Sequence, residues 1–440
     1  MSSLRNWAGR LSPQAAMSNP VVLGVCVVLG VLLALVGGYA LMKDFADLPH
    51  YPAGADLSLY IRAADALPGN PYAPEVNHGF DRYGYPPLLA EVFAVLQLVF
   101  GRTLVLWIWP TLCGAALAAS IVMLARAFGA KLPWQVIVLI LGIVAVGHTL
   151  RSDILHGQVN VFILLLLSAG IYLRSKGWVI APAILFAIMM SLKPFMGAVA
   201  IFFLLRRDWR MAAWTLGMGA VVFMGSFLPM GGKALEAFAG WREATQYFTS
   251  APFALKGDNQ SIFGLAMRLF TENEYSTPWV ANPMLVSVTV GAAILFAAAL
   301  GLLGVVAHRK PQGTSQQDSA DLLLECMMIV ALFMAVSPLT EGDHMIITFA
   351  GLGPALIVGI RRLRAGTQSR RLWIAVMIAW ALPALFLISP KPLPFTYGTY
   401  LTWFDLAGPE ILLTGRSYVL LMLAGGLTAI ALWRDRRTAA

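Results

Sequence analysis

Apolar stretches long enough to cross a bilayer recur along this sequence from Val21 to Trp433, with short polar connections between them. A transmembrane helix needs about 20 mostly apolar residues, because the hydrocarbon core of a bilayer is about 30 Å thick. Hydrophobic residues make up 59% of the 440-residue chain and charged residues only 12%, a balance foreign to an ordinary soluble domain. The sequence therefore predicts an all-α, polytopic integral membrane protein in which residues 1–440 form a single membrane domain.

The net charge of +9 is explained by membrane topology. Arginines cluster at the ends of apolar blocks, at Arg206-Arg207, Arg361-Arg362-Arg364, Arg370-Arg371 and Arg434-Arg436-Arg437. Cytoplasmic loops of membrane proteins carry an excess of Lys and Arg, so we expect no nucleic-acid partner. The three cysteines lie far apart within apolar blocks, which favours neither a disulfide framework nor a zinc site.

The same charge rule gives a topology. With Arg5 and Arg10 in the cytoplasm, a retained first helix at 20–42 leads to the outer face, and about twelve spans follow with both termini inside. This count treats 88–100 as a segment too short to cross and 134–150 as one span. The predicted connections are a first outer loop at 43–87 with an interfacial helix at 55–67, a second outer loop at 230–283 with a helix at 262–270, a cytoplasmic linker at 308–321 and a third outer loop at 389–415.

The first outer loop concentrates acidic residues. It holds six of the 22 acids of the chain, Asp44, Asp47, Asp56, Asp65, Glu75 and Asp81. The predicted topology brings four basic or amide-bearing turns to the same face: His156–Asn160, the break at Lys193 between two short helices, Asp258–Ser261, and Asp343-His344. An acid facing cations at the membrane boundary is the arrangement expected of an enzyme that acts on a charged lipid headgroup.

The order and spacing of these residues resemble a known family. The matching residues are Asp56-x3-Tyr60, Ala63-Ala64, Gly69, Pro71-Tyr72, Tyr85-Pro86-Pro87, Gly157-Gln158-Val159-Asn160, Leu192-Lys193-Pro194, Asn259-Gln260-Ser261, Ser337-Pro338 and His344. Together they look like family 87 of the GT-C glycosyltransferases, which are polyprenol-phosphate-mannose-dependent mannosyltransferases and related pentosyltransferases. The resemblance implies a GT-C fold, an outward-facing active site and a sugar donor, mannose first of all, carried on a polyprenyl phosphate.

The resemblance also implies roles for individual residues. Asp56 matches the aspartate of the D-x3-Y pattern and is the implied general base, while His344 is the implied histidine beside the leaving phosphate. The family often has a His-His or Trp-His pair where this chain has Asp343-His344. The remaining candidate substrate-binding residues are Lys193, Arg82, Tyr85, Gln158, Asn160, Asn259 and Gln260.

The chemistry of such a transfer agrees with this set. A phosphate-linked sugar already has a good leaving group, so inversion requires one carboxylate to accept the proton of the acceptor hydroxyl. Positive charge from Lys193, His344 or Arg82 then stabilises the departing phosphate, and neither a metal nor a cofactor is expected. The expected acceptor is a glycolipid or polysaccharide at the outer face of a bacterial inner membrane.

Structural explanations compete with these roles. Asp56 could cap the interfacial helix, leaving Asp44, Asp47 or Asp81 as the base. Lys193 could extend to the lipid headgroups, His344 could be a satisfied interfacial histidine, Gln158 and Asn160 could bond helix to helix, and Tyr85 could belong to a rigid turn. For the whole protein, a transporter or flippase of lipid-linked saccharides and a scaffold subunit of an envelope-assembly complex are the alternatives.

Overall fold

The computed structural model describes residues 19–46, 55–77, 82–255, 259–273, 276–306, 316–365, 369–388 and 416–437. Within these ranges the chain is built from helices and contains no strand, which confirms the predicted all-α class. Asp47, Asp81, Asp258 and the predicted third outer loop at 389–415 lie outside the described residues.

The N-terminal half combines two long helices with several short ones. Its helices are α1 (Pro20–Ala46), α2 (Ala55–Asp65), α3 (Pro87–Phe100), α4 (Arg102–Ala127), α5 (Trp134–Val146), α6 (His148–His156), α7 (Asn160–Ser175), α8 (Ile180–Leu192) and α9 (Ala198–Leu205). As predicted, two short helical segments meet at Lys193, which has an extended backbone (φ −133°, ψ 101°) before the 3-10 turn Pro194–Gly197. The proline after Lys193 cannot continue the hydrogen-bond ladder of α8, so the helix ends there.

The C-terminal half begins with a long helix that is followed by a group of shorter helices. Its helices are α10 (Trp209–Gly225), α11 (Ala234–Tyr247), α12 (Ala251–Leu255), α13 (Ile262–Phe270), α14 (Pro283–Val306), α15 (Gln316–Val336), α16 (Phe349–Arg364), α17 (Arg370–Ile388) and α18 (Arg416–Arg437), with 3-10 helices at Leu228–Lys233 and Gly342–Thr348. The predicted helix at 262–270 is confirmed residue for residue.

Within the described ranges, six helices are long and apolar enough to cross a membrane, and eight spans result if each of two bent pairs counts as one. The four shorter apolar helices are Pro87–Phe100, Asn160–Ser175, Ile180–Leu192 and Pro194–Leu205. The total of about twelve spans stays a prediction. The predicted span over 134–150 is bent by 74° at Gly147, where residues 148–156 form the separate helix α6, and this bent pair is one of the two that can each count as a span.

Two predicted loops contain more helix than expected. Residues 316–321 of the predicted linker form the first turns of α15, where Asp321 pairs with Arg361 at 2.8 Å. This pairing attaches a polar, linker-like sequence to α16. The second outer loop likewise contains α11 and α12 before α13.

Ion pairs join the arginine-rich ends of the helices. They connect Arg174 with Asp208 (3.1 Å), Arg206 with Glu325 (2.6 Å), Arg361 with Asp321 (2.8 Å) and Arg362 with Asp435 (3.6 Å). These ion-paired helix ends are called the arginine layer below. Helix α7 runs from Asn160 to this layer, and α16 runs to it from the segment that contains His344. The predicted site residues therefore lie at the opposite ends of α7 and α16 from their arginines.

Glycines allow α1 to pack closely along α5. A Cβ atom added at Gly30 would lie 2.7 Å from the backbone of Val138, and one added at Gly142 would overlap the backbone of Gly30. Small residues at such crossings let membrane helices approach until their backbones touch. By contrast, a Cβ at Gly38, on the same helix, has nothing within 4 Å.

We expect Gly30→Val to destabilise the protein and Gly38→Val to leave it unaffected, because only the first substitution forces the two backbones apart. Overpacking of this kind costs about 1–3 kcal/mol. Thermal unfolding of the two purified variants measures the difference. Equal melting temperatures would show that the α1–α5 contact does not contribute to stability.

Candidate active site

Asp56 lies in the first turn of α2, a helix that is packed into the protein core. Leu57, Tyr60 and Ile61 are each at most 3% exposed, and α2 packs against α3. The burial of one face fixes the helix, and the positive end of its dipole favours the ionised carboxylate of Asp56. The interfacial helix expected at 55–67 is thus present over 55–65, but as part of the core.

Other acids of the first loop are engaged elsewhere. Asp44 pairs with the buried Arg151 at 3.1 Å, and Asp65 pairs with Arg102 at 3.0 Å on the surface. Glu75 is exposed. Among the described acids of this loop, Asp56 is the one that contacts the other predicted site residues.

Gly157 brings the next part of the site against α2. It ends α6 in the left-handed conformation (φ 75°), which glycine adopts without strain. A Cβ atom at this position would lie 2.8 Å from the backbone nitrogen of Leu57 and would overlap the Leu57 side chain. Only glycine satisfies both requirements, and the contact places Gln158 beside Asp56.

The amide of Gln158 connects the acid to a base. Its Nε2 donates a short hydrogen bond to Oδ2 of Asp56. Its Oε1 accepts from Nζ of Lys193 at 3.4 Å and from Oη of Tyr85 at 3.5 Å. The carboxylate and the ammonium group therefore contact opposite ends of one amide and do not pair with each other in these bonds.

Lys193 is 8% exposed, yet its surroundings favour the charged form. Burial alone lowers the pKa of Lys193, but Tyr85, Asp343 and Glu341 raise it above its ordinary value. The ammonium also lies 5.5 Å from the centre of the Tyr85 ring, within the range of a cation–π contact. Burial raises the pKa of Tyr85 above 10, with Lys193 opposing the shift, so the phenol keeps its proton at neutral pH.

His344 completes the chain of contacts. The backbone N–H of Glu341 donates to its Nδ1 at 3.2 Å, so a neutral His344 carries its proton on Nε2. Nε2 lies 3.0 Å from Nζ of Lys193. Two nitrogen donors thus converge on one place, an arrangement suited to an oxyanion that accepts from both.

Four tyrosines support the Asp56 side of the site. Tyr60 and Tyr83 are fully buried, and the ring of Tyr60 meets that of Tyr85 edge to face at 5.2 Å. Tyr72 donates through Oη to the carbonyl of Tyr85 at 2.7 Å. Tyr83 donates to the carbonyl of Pro86 at 2.9 Å and so fixes the Tyr-Pro-Pro turn before α3. These tyrosine contacts therefore fix the Tyr-Pro-Pro turn and hold Tyr85 at the site.

Asn160 has a different neighbour from the other predicted residues. Its Nδ2 donates to Oδ1 of Asp153 at 2.8 Å, and both side chains are fully buried. Asp153 lies in α6 and Asn160 is the first residue of α7, so this hydrogen bond joins the two helices. Asp153 was not predicted from the sequence, because it is one of several polar residues between Arg151 and Asn160.

Asn259 and Gln260 join the second outer loop to the segment before His344. Asn259 donates through Nδ2 to the Pro338 carbonyl at 3.0 Å and accepts through Oδ1 from Thr340 N–H at 3.3 Å. The Gln260 backbone N–H donates to the Thr340 carbonyl at 2.7 Å. A Cβ at Gly342 would lie 3.5 Å from Nε2 of Gln260. Asn259 thus positions the loop, and Gln260 reaches towards the His344 segment.

Arg82 contacts α11 and none of the residues in the Asp56–His344 chain. It pairs with Glu243 at 3.8 Å and covers the ring of Tyr247 at 4.0 Å. Both partners belong to α11, which was not predicted.

The sequence was compared with models of protein families and with curated proteins. The model of glycosyltransferase family 87 matches residues 83–338, more than half of the chain. The chain belongs to glycosyltransferase family 87. The comparison with curated proteins finds no match. The family 87 match contains Tyr85, Gln158 and Lys193, whereas Asp56 and His344 lie outside it.

One group in this family 87 glycosyltransferase has ligand types that a metal uses. Glu341, Asp343 and His344 bring ligand atoms within 4.8 Å of one another. However, the two ring nitrogens of His344 already contact the Glu341 N–H and Lys193. The positive charge of Lys193 opposes a cation at this position, whereas the carboxylates of Glu341 and Asp343 favour one.

We expect Gly157→Ala to reduce sugar transfer much more than Gly177→Ala. Both glycines have a left-handed backbone (φ 75° and 83°), but a Cβ at Gly177 has nothing within 4 Å. The shared backbone strain costs about 1 kcal/mol, while only the Gly157 variant displaces Leu57 and with it Asp56. Transfer rates and melting temperatures of both variants separate the two effects. Equal losses of transfer would contradict the role of the Gly157–Leu57 contact.

Proposed function

We propose that this family 87 member is an inverting glycosyltransferase that moves a sugar, mannose in the first instance, from a polyprenyl-phosphate donor to a glycolipid or polysaccharide acceptor. The observation that carries the proposal is the unbroken chain of contacts from Asp56 through Gln158 to Lys193 and His344. It supplies one carboxylate at one end and two cationic or N–H-bearing groups at the other.

Asp56 acts as the general base. The acceptor hydroxyl gives its proton to the Asp56 carboxylate while its oxygen attacks the anomeric carbon of the donor sugar. The bond from that carbon to the phosphate oxygen breaks, and its electron pair leaves with the phosphate. Because a phosphate is already a good leaving group, general acid catalysis is not needed.

Lys193 and His344 bind the phosphate. The negative charge on the phosphate increases as the glycosidic bond breaks, so donors that are fixed in advance stabilise the transition state more than the ground state. The converging Nζ of Lys193 and Nε2 of His344 (3.0 Å apart) are such donors. A phosphate oxygen within hydrogen-bond reach of both nitrogens accepts two charge-assisted hydrogen bonds.

The arginine layer supports an outward-facing site. Loops rich in Arg face the cytoplasm in most membrane proteins, and α7 carries Asn160 and Arg174 at opposite ends. The site end then faces the outside of the membrane, which is the periplasm for a bacterial inner-membrane protein. Exposed apolar residues of α3, such as Leu98 (86%) and Val99 (64%), suit contact with lipid tails, from which a polyprenyl donor would arrive.

The decisive substitution is Asp56→Asn, which preserves size and hydrogen bonding but removes the base. We expect a loss of at least about 100-fold in transfer, since general base catalysis contributes about 10²–10⁴-fold. The matched control is Asp65→Asn on the same helix, whose surface ion pair is worth at most about 1 kcal/mol. Transfer of labelled mannose from a synthetic polyprenyl-phosphate donor by purified protein is the measurement. Full activity of Asp56→Asn would eliminate the mechanism, and binding without transfer by the wild type would favour a transporter.

Lys193→Met should weaken the interaction with the leaving phosphate. It keeps most of the side-chain volume and removes the charge, so we expect both a lower maximal rate and weaker donor binding. The exposed Lys176 provides the control variant Lys176→Met, for which no change is expected. Competition by polyprenyl phosphate, the product of the donor, measures binding separately from chemistry. Unchanged competition in Lys193→Met would remove the lysine from the phosphate site.

A further inference from the structure

A polar cavity lies next to Tyr72, one of the tyrosines of the site. It has a volume of about 570 Å³, within the range of about 300–1,000 Å³ that is usual for ligand pockets. Residues 70–77 and Arg82 form one wall, and α11 from Glu236 to Gln246 forms the other. The cavity, called the α11 cleft below, is not part of the Asp56–His344 chain.

Two polar contacts and one close packing contact hold the walls together. Nδ2 of Asn70 donates to Oε1 of Glu236 at 3.0 Å, and Arg82 pairs with Glu243 at 3.8 Å. Gly240 lies so close to Tyr72 that a Cβ there would be 2.7 Å from the Tyr72 Cβ. These contacts hold the two walls together, and Glu236, Arg242 and Glu243 are exposed.

The lining favours an uncharged polyhydroxyl ligand. Arg82 and Arg242 supply donors, Glu236 and Glu243 supply acceptors, and Asn70 and Gln246 can do either. The two positive and two negative charges cancel, so the cleft has no excess charge for an anion such as a phosphate. Sugar hydroxyl groups donate and accept at the same atom, and they suit a surface that alternates both functions.

The cleft opens beside exposed apolar side chains of the same helix. Leu235 is 84% exposed and Phe238 36% exposed, and neither lines the cleft. An apolar surface next to a sugar-sized polar cavity matches the two parts of a glycolipid, whose headgroup is polar and whose tail lies in the membrane.

Tyr72 connects the cleft to the active site. This residue lines the cleft and donates to the carbonyl of Tyr85 at 2.7 Å. Tyr85 in turn contacts Gln158, the partner of Asp56. The cleft is thus joined through Tyr85 to the Gln158 amide, whose other end donates to the proposed base Asp56.

From these contacts we infer that the α11 cleft binds the neutral saccharide headgroup of the glycolipid acceptor. The identification of the ligand as the acceptor rests on the proposed function, whereas the binding of a neutral saccharide in the cleft does not. It assigns Arg82 to the acceptor sugar, away from the donor phosphate.

Binding of octyl α-D-mannoside tests the inference without catalysis. The full-length protein is placed in phosphatidylcholine nanodiscs, because glycoside detergents would themselves occupy the cleft, and saturation-transfer NMR detects the ligand. Glu236→Ala removes an acceptor and Ala239→Trp fills the cleft; Glu272→Ala, an exposed carboxylate outside it, is the matched control. We expect the apparent Kd to rise about tenfold or more in the first two variants, as for loss of a charge-assisted hydrogen bond, and to stay unchanged in the control.

Comparison ligands and transfer kinetics separate the outcomes. Octyl phosphate should bind more weakly than the mannoside, and methyl α-D-mannoside should bind weakly because it lacks a tail. Undetectable mannoside binding, tighter binding of octyl phosphate, or equal Kd values in all variants would each overturn the inference. In transfer assays the cleft variants should raise the KM for the acceptor and leave that for the donor unchanged. If the wild type transfers no sugar but the cleft variants still lose mannoside binding, the proposed function fails and the cleft assignment stands.

Discussion

The active-site geometry depends on one amide group between two opposite charges. A direct ion pair between Asp56 and Lys193 would stabilise the carboxylate and make it a weaker base. Gln158 prevents this by donating to the acid and accepting from the lysine. The two charges also fix which way the amide points, because the reverse orientation would face its NH₂ group to the ammonium and its oxygen to the carboxylate.

The fold delivers these groups by ending helices inside the bundle. Asp56 begins α2, Gln158 follows α6, Lys193 follows α8, and His344 lies in a 3-10 helix before α16. Each end leaves backbone polar groups without partners in the helix, and a lipid environment would not satisfy them. Here these ends lie among polar side chains such as Asn160 and Asp153, which bond to each other at 2.8 Å. A bundle of straight spans would offer no such place.

The sequence predicted the residues of the chain of contacts better than the residues that position them. Asp56, Gln158, Lys193, Tyr85 and His344 are polar residues at breaks in apolar blocks, a pattern that is visible without coordinates. Their mutual contacts join positions 102 and 151 residues apart; the predicted topology placed them on one face, and the family pattern indicated that they act together. Asp153 was missed because it is one of several polar residues between Arg151 and Asn160, and Arg82 was grouped with the phosphate ligands because its partners on α11 were unknown. Helix α11 was read as loop, since its acids, glycine and aromatic residues do not form an apolar block.

The asymmetry of the site determines the direction in which substrates enter. In the proposed mechanism the base, Asp56, lies at the Nε2 end of the Gln158 amide, whereas the proposed phosphate ligand Lys193 lies at its Oε1 end and contacts His344. An acceptor hydroxyl at Asp56 and a phosphate at Lys193 must then flank the sugar from opposite sides. Attack from the side opposite the leaving group inverts the anomeric carbon, so the separation that Gln158 maintains between the acid and the lysine is itself the reason to expect inversion.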